Sequence, residues 1–325
     1  MTTLDREVAQ HYSHGSLEAA ILAGLNAMGR DRSNVTSEDL AGIDEFHIGG
    51  HEATADVADH LNLGAGGGLL DIGSGIGGAA RFFARRYGCR VVGIDLTPEY
   101  VEAATSLTQL VGLSDQVEFR VANALDLPFA DESFDRATLL HVGMNIPDKH
   151  RLCASVYRVL KPEGLFAIYD VMQTGDGEIT FPVPWAATRA TSFLERPETY
   201  RQALLDAGFE IVSERARRDF AIEFFQRMRA RMAESGPPPL GLHILMGQDA
   251  PTKIANMLAG LEQGLIAPVA MIGRRMSPQG TIDWLQKDMV FRPSIRRQAS
   301  TVMVRKPRPD ATHKRVLKSE MYEKK

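Results

Sequence analysis

The chain has 325 residues, of which 44% are hydrophobic and 24% charged, and a net charge of −4, the balance of a globular protein with room for one large domain and an insertion. Mild overall acidity gives no reason to expect nucleic acid or an anionic membrane as a partner, and no apolar run is long enough to cross a bilayer. The opening MTTLDREVAQ lacks the basic-then-apolar pattern of a signal peptide, so a cytoplasmic protein is expected; oligomeric state has no signature.

Residues 1–60 carry helical patterns with a turn at Ile48-Gly49-Gly50 and are expected to form a helical lid. A short apolar run then enters Gly73-Ser74-Gly75-Ile76-Gly77-Gly78, followed by the helical pattern Ala79–Arg86. From Leu69 to about Asp170, short apolar runs alternate with helical patterns, which predicts a parallel sheet covered on both faces. Its strands are expected at 69–72, 90–95, 116–121, 135–141 and 164–170. Thr97-Pro98-Glu99 and Pro147-Asp148-Lys149 read as helix starts, and Leu160-Lys161-Pro162-Glu163-Gly164 as a stop. Pro197 opens a further helix that ends near Gly208. A strand follows from Phe209, and a helical insertion spans about 218–262, broken by Gly236-Pro237-Pro238-Pro239. Leu265–Ile272 can be a last strand, in which Pro268 demands an edge or a position that needs no N–H. These elements place one domain over 61–275. The tail 276–325 holds twelve basic residues against five acidic ones, about +7, leaving about −11 on the rest. It reads as poorly ordered, with contact to an acidic partner as the alternative. Cys89 and Cys153 sit in apolar settings and are expected to be buried thiols.

The glycine turn carries the first chemical signal. Glycine permits close backbone approach and positive φ at a strand-to-helix turn, and the helix that follows offers unpaired N–H groups. Asp95 ends the next apolar run, at the separation where an acid can accept from both ribose hydroxyls. A nucleotide-like cofactor is therefore predicted. The same glycines satisfy G-x-G-x-x-G, so they leave a dinucleotide and other cofactors equally open.

Asp71, two positions before the first glycine, has no role in the usual dinucleotide fingerprint. Together with Asp126-Leu127-Pro128-Phe129, Ser133-Phe134-Asp135 and Arg158-Val159-Leu160-Lys161-Pro162-Glu163-Gly164, it makes residues 40–275 resemble the class I S-adenosylmethionine-dependent methyltransferases. The resemblance implies an α/β fold: a Rossmann-like, seven-stranded, mostly parallel sheet with helices on both faces. Its last strand would run antiparallel through a hairpin of 209–217 and 265–275, under a helical lid. It also implies S-adenosylmethionine as cofactor. Gly73, Ser74 and Gly75 would pack on its amino acid portion and Asp71 would hold its ammonium. Asp95 would take the ribose hydroxyls, Leu96 would pack on the adenine, and Asn123-Ala124 would stand where the family has Asp-Ala, with an asparagine oxygen still able to accept. The closer likeness is to small-molecule enzymes of the phosphoethanolamine, glycine/sarcosine and sterol or quinone type. Phe46-His47-Ile48-Gly49-Gly50-His51-Glu52-Ala53-Thr54 resembles their segment that closes over the cofactor, and Tyr12 their N-terminal tyrosine.

Methyl transfer from a sulfonium is an in-line displacement, for which the protein must align the partners and exclude water; a base is optional. His141, at the carboxyl end of the fourth strand, is the candidate base, with a structural hydrogen-bonding role as the alternative. Asn145 falls where the phosphoethanolamine enzymes have a histidine and can orient a substrate instead. Trp185 can form an apolar or cation-binding wall, or a buried anchor. His47 is grouped with it as an acceptor contact. His47 and His51 lack a third ligand, so no metal is expected. Three rivals remain: an NAD-dependent oxidoreductase, a non-catalytic S-adenosylmethionine-binding protein and a nucleic-acid methyltransferase.

Overall fold

The computed structural model describes residues 2–13 and 15–277. His14 and all but the first two residues of the basic tail lie outside the described residues.

Seven strands form one sheet: β1 (Gly68–Ile72), β2 (Arg90–Asp95), β3 (Val117–Val121), β4 (Phe134–Leu140), β5 (Leu160–Gln173), β6 (Phe209–Ala216) and β7 (Ile266–Arg275). Their order is β3-β2-β1-β4-β5-β7-β6, with β7 antiparallel to both β5 and β6; the seven strands and the antiparallel last one are as the resemblance implied. Strand order reverses between β1 and β4, which opens a crevice at their carboxyl ends, where open α/β sheets bind ligands.

Three helices precede the sheet: α1 (Thr3–Tyr12), α2 (Leu17–Ala27) and α3 (Gly50–Asp59). The crossovers are α4 (Gly78–Tyr87), α5 (Pro98–Leu110), α6 (Lys149–Val159) and α7 (Pro197–Ala207), and the β6–β7 connection carries α8 (Arg218–Ser235), α9 (His243–Met246) and α10 (Ala250–Glu262). Alternation along β1 sends its side chains to two cores. Leu70 and Ile72 join Leu152 of α6 and Tyr200 of α7, whereas Leu69 joins Val57 of α3 and Phe83 of α4. Phe83 is fully buried, so Phe83→Ala is expected to cost about 3–5 kcal/mol of stability, read as a lower denaturation midpoint with an unchanged slope.

The structure corrects two local readings and decides between the two positions open to Pro268. β5 begins at Leu160, four residues earlier than expected, because the chain turns within it at Glu163 (φ 64°) and shifts register against β4 between Phe134 and Arg136. β7 is an interior strand, so Pro268 is not at an edge. Pro268 stands opposite Val171, and its carbonyl accepts from Arg217 N (2.8 Å) just past the end of β6; its missing N–H thus faces the end of a strand. Thr97 is the N-cap of α5 but makes no side-chain cap there. The neighbouring Glu99 instead accepts from Ser13 Oγ (2.8 Å), Gly15 N (3.0 Å) and Leu17 N (2.9 Å), tying the start of α2 to the sheet domain. Asp148 caps α6 as expected, accepting from Arg151 N. Cys89 and Cys153 are buried, and burial pushes their thiols up to about 11 and about 12.

Candidate functional site

The turn after β1 is shaped by its neighbours. Gly73 N and Ser74 N both donate to Ile94 O (2.8 and 2.9 Å), and Gly75 N donates to Asp95 Oδ2 (2.9 Å). Gly73 has φ +70°, and a Cβ there would fall 2.3 Å from Val142 Cγ2. The turn and the loop after β4 therefore close on each other only with glycine at this position.

Beside the turn lies a cavity of 1420 Å³, larger than the roughly 300–1,000 Å³ that serves one small ligand. Every residue to which the sequence reading gave a cofactor, acceptor or base role lines it. Asp71, Gly73, Ser74, Gly75, Asp95 and Leu96 come from β1, β2 and the segments after them, and Asn123 and Ala124 from the segment after β3. His141 and Asn145 follow β4, Tyr12 ends α1, His47, Gly49 and Gly50 lead into α3, and Trp185 follows β5.

Carboxylates dominate the charge around the turn. Asp71 is 2% exposed; its Oδ1 accepts from Thr138 Oγ1 (2.8 Å) while Oδ2 has no partner, and burial pushes the group up to about 7. Burial also pushes Asp44 up to about 6, against the Arg81 guanidinium that pairs with it, and raises Glu45 and Asp95. All four line the cavity. Four lining atoms are buried without a hydrogen-bond partner: Asp71 Oδ2, Ser74 Oγ, Tyr100 Oη and His141 Nε2. Unpartnered buried polar atoms are costly and rare. Here they suit a ligand that brings positive charge, hydrogen-bond donors and an acceptor. Asp95 meets the backbone with both oxygens, Oδ1 accepting from Thr97 N (2.9 Å), yet each oxygen keeps a lone pair for a diol.

His141 has φ 56°, a conformation that non-glycine residues rarely adopt and that functional sites often retain. Its N–H donates to Tyr169 O (2.7 Å), and its ring lies 5.1 Å from that of Tyr169 and 5.8 Å from that of His47. Burial lowers both imidazoles, His47 to about 4, so both are neutral at physiological pH. His47 Nε2 lies 3.1 Å from Gly50 O and 3.0 Å from Thr54 Oγ1, which fixes the entry to α3.

Asn145 is a junction. Its Oδ1 accepts from Tyr12 Oη (2.9 Å), and its Nδ2 donates to Trp185 O (2.8 Å) and Thr191 O (3.2 Å). Both amide hydrogens are committed, so Asn145 ties α1 and the segment after β5 to the end of β4. Trp185 is 3% exposed, with Nε1 donating to Ser192 Oγ (3.0 Å): a buried anchor whose edge also lines the cavity. Asn123 Oδ1 accepts from Leu125 N (2.9 Å), and Nδ2 donates to Asp5 Oδ2 (3.2 Å). Its oxygen therefore caps a turn first and has one lone pair left for a ligand. His11 is half-buried with Nε2 3.0 Å from Pro184 O.

Sequence reasoning missed Asp44, Glu45, Tyr100 and Thr138. The first two immediately precede the Phe46–Thr54 segment and were visible as paired acids. Thr138 meets Asp71 only because β4 pairs with β1, which no local pattern reports.

Comparison with known proteins agrees with this geometry. A family profile described as a methyltransferase domain matches residues 70–168. The chain is 33% identical over 177 residues to methyltransferase GfsG of Streptomyces halstedii, covering 54% of this chain and 64% of that protein. It is 31% identical over 172 residues to sterol 24-C-methyltransferase of Eremothecium gossypii, covering 50% and 45%. The chain thus spans less than two thirds of the length of these curated relatives. Among solved structures, phosphoethanolamine N-methyltransferase 2 of Haemonchus contortus, in complex with S-adenosyl-L-methionine, shares the fold at a TM-score of 0.65 and 18% identity, covering 85% of this chain and 61% of that one.

Proposed function

We propose that this chain is a class I S-adenosylmethionine-dependent methyltransferase, a reading that the match to a methyltransferase domain supports, and that it transfers a methyl group to a small-molecule acceptor held in the same cavity. The observation that carries the reading is the excess of buried carboxylates around the glycine turn, with Asp71 Oδ2 left unpartnered. S-Adenosylmethionine, when bound, supplies an electrophilic methyl group on a sulfonium and brings the cationic charge that such a site lacks. A dinucleotide would bring two phosphates to these carboxylates, which disfavours the oxidoreductase alternative.

Each residue then has a task. Asp71 Oδ2 accepts from the ammonium of the cofactor, and Gly73, Ser74 and Gly75 allow its amino acid portion to approach the backbone. Asp95 accepts from the ribose hydroxyls. Leu96 and Ala124 flank the adenine, and the remaining lone pair of Asn123 Oδ1 takes its amino group. Residues 1–60 and the 218–262 insertion serve as a lid on the 61–275 domain. Within the lid, Gly49 and Gly50 bring the 46–54 segment onto the cofactor, and the Tyr12–Asn145 bond fastens α1 across the cavity. His47 and Trp185 border the acceptor and help to exclude water. His141 Nε2 is available to take a proton from an acceptor hydroxyl. Its suppressed basicity suits a transient role, in which the proton is held only while the transfer proceeds.

The test is calorimetric titration of the chain with S-adenosylhomocysteine and with NAD, followed by incubation with methyl-labelled S-adenosylmethionine and a panel of acceptors. Binding of NAD but not S-adenosylhomocysteine would sink the reading, and tight binding without label transfer to any acceptor would favour a non-catalytic role. Once an acceptor is found, His141→Ala is expected to lower kcat by about 10²–10⁴-fold with S-adenosylhomocysteine affinity within twofold. An unchanged kcat would leave His141 a structural role alone.

A further inference from the structure

The part of the cavity wall supplied by the β6–β7 connection has a chemistry opposite to that of the glycine turn. α8, α9 and α10 contribute Phe225, Met228, Met246, Ile254 and Met257 to it. Most of these belong to an apolar cluster that also takes in Met144 and Trp185. From Phe224 to Met257 the lining contains no aspartate or glutamate; its charged members are Arg227, Arg229 and Arg231 of α8. Arg227 is engaged with Glu52 of α3 at 2.8 Å, while Arg229 and Arg231 are exposed.

Methionine and phenylalanine walls gain from contact with hydrocarbon, and methionine adapts to irregular shapes. A small zwitterion or amine placed against them would give up hydration without finding partners, and an ammonium would meet arginines in place of a carboxylate. The total volume exceeds what one ligand of ordinary size fills, so space remains beyond the cofactor subsite for a second molecule of substantial bulk. We infer that the acceptor is a lipophilic molecule: a hydrocarbon-rich skeleton seated against α8–α10, which presents to the arginines of α8 a neutral or anionic oxygen and not a cationic amine. The word acceptor rests on the methyl-transfer reading; the binding preference can be measured without it.

The experiment is calorimetry on the full chain with S-adenosylhomocysteine present, titrating decanol, decanoate and decylammonium as matched ten-carbon probes beside sarcosine and phosphoethanolamine. Decanol and decanoate are expected to bind, decylammonium at least tenfold more weakly, and the two small amines not measurably. Met228→Glu is expected to weaken decanol binding at least tenfold with S-adenosylhomocysteine affinity within twofold. Arg231→Glu, at an exposed position, should weaken decanoate and leave decanol unchanged, which keeps the test meaningful if the substitution at half-buried Met228 unfolds the chain. Tighter binding of decylammonium or of either small amine than of decanol would overturn the inference. So would the absence of binding by both decanol and decanoate. Decanol binding without any S-adenosylhomocysteine binding would count against the methyl-transfer reading and leave the lipophilic site standing.

Discussion

Asp95→Ala is expected to lower affinity for S-adenosylhomocysteine at least about 100-fold, equivalent to roughly 3 kcal/mol, and also to destabilise the cofactor-free fold. The two effects have separate causes. In the structure Asp95 accepts from Gly75 N and Thr97 N, both at 2.9 Å, so the alanine leaves two backbone donors at the glycine turn and at the start of α5 without an acceptor. Each such loss costs about 1–3 kcal/mol where water cannot replace it. The affinity loss adds the ribose hydroxyls that Asp95 is proposed to take. Asp95→Asn separates the terms, since it keeps one acceptor for a backbone N–H but loses the charge that strengthens hydrogen bonds to a diol. The asparagine variant should therefore recover part of the stability and little of the affinity. Chemical denaturation and calorimetry read the two quantities independently. An alanine variant that binds within threefold of the parent would remove Asp95 from the cofactor contacts.

The same residue marks the limit of what the sequence could tell. Asp95, Asp71 and the three glycines were legible because their chemistry is local: a strand, a turn and a helix start follow one another within about thirty residues of chain. The sheet was legible for the same reason, since alternating apolar runs and helix starts are short-range signals. What escaped depended on contacts between distant segments. Thr138 bonds Asp71 across paired strands, and Glu99 reaches back to cap α2, more than eighty residues earlier in the chain. Pro268 left two positions open, and the choice between them is a fact of topology, the end of β6 lying beside it. Asn145 shows the converse case: its identity suggested a substrate contact, yet its amide hydrogens are spent on Trp185 O and Thr191 O. The acceptor wall was unreadable from 218–262, where the spacing of Met228, Met246 and Met257 carries meaning only after three helices have been folded against the sheet.

Affinity for S-adenosylmethionine is expected to rise with pH between about 5.5 and 7.5, while the stability of the cofactor-free chain falls over the same range. Burial pushes Asp71 up to about 7 and Asp44 up to about 6, and raises Glu45 and Asp95. His47 and His141, lowered by burial, are already neutral there and contribute no opposing change. A carboxyl whose folded pKa lies above its unfolded one makes the native state bind more protons than the unfolded state between the two values. The unfolding free energy therefore decreases as pH rises through that window. The rise at Asp71 corresponds to a few kcal/mol at most, shared here among neighbouring acids. A cationic ligand acts in the opposite sense, because it favours the ionised carboxylate and must displace the proton held below its pKa. Affinity governed by one such group changes up to about tenfold per pH unit below that pKa, so a gain on the order of 10- to 100-fold is expected across the range. Titration calorimetry in buffers of different ionisation heat should detect proton release at pH 6, and Asp71→Asn should diminish both the release and the slope. A flat affinity between pH 5.5 and 7.5 would mean that the ammonium is met elsewhere than at Asp71.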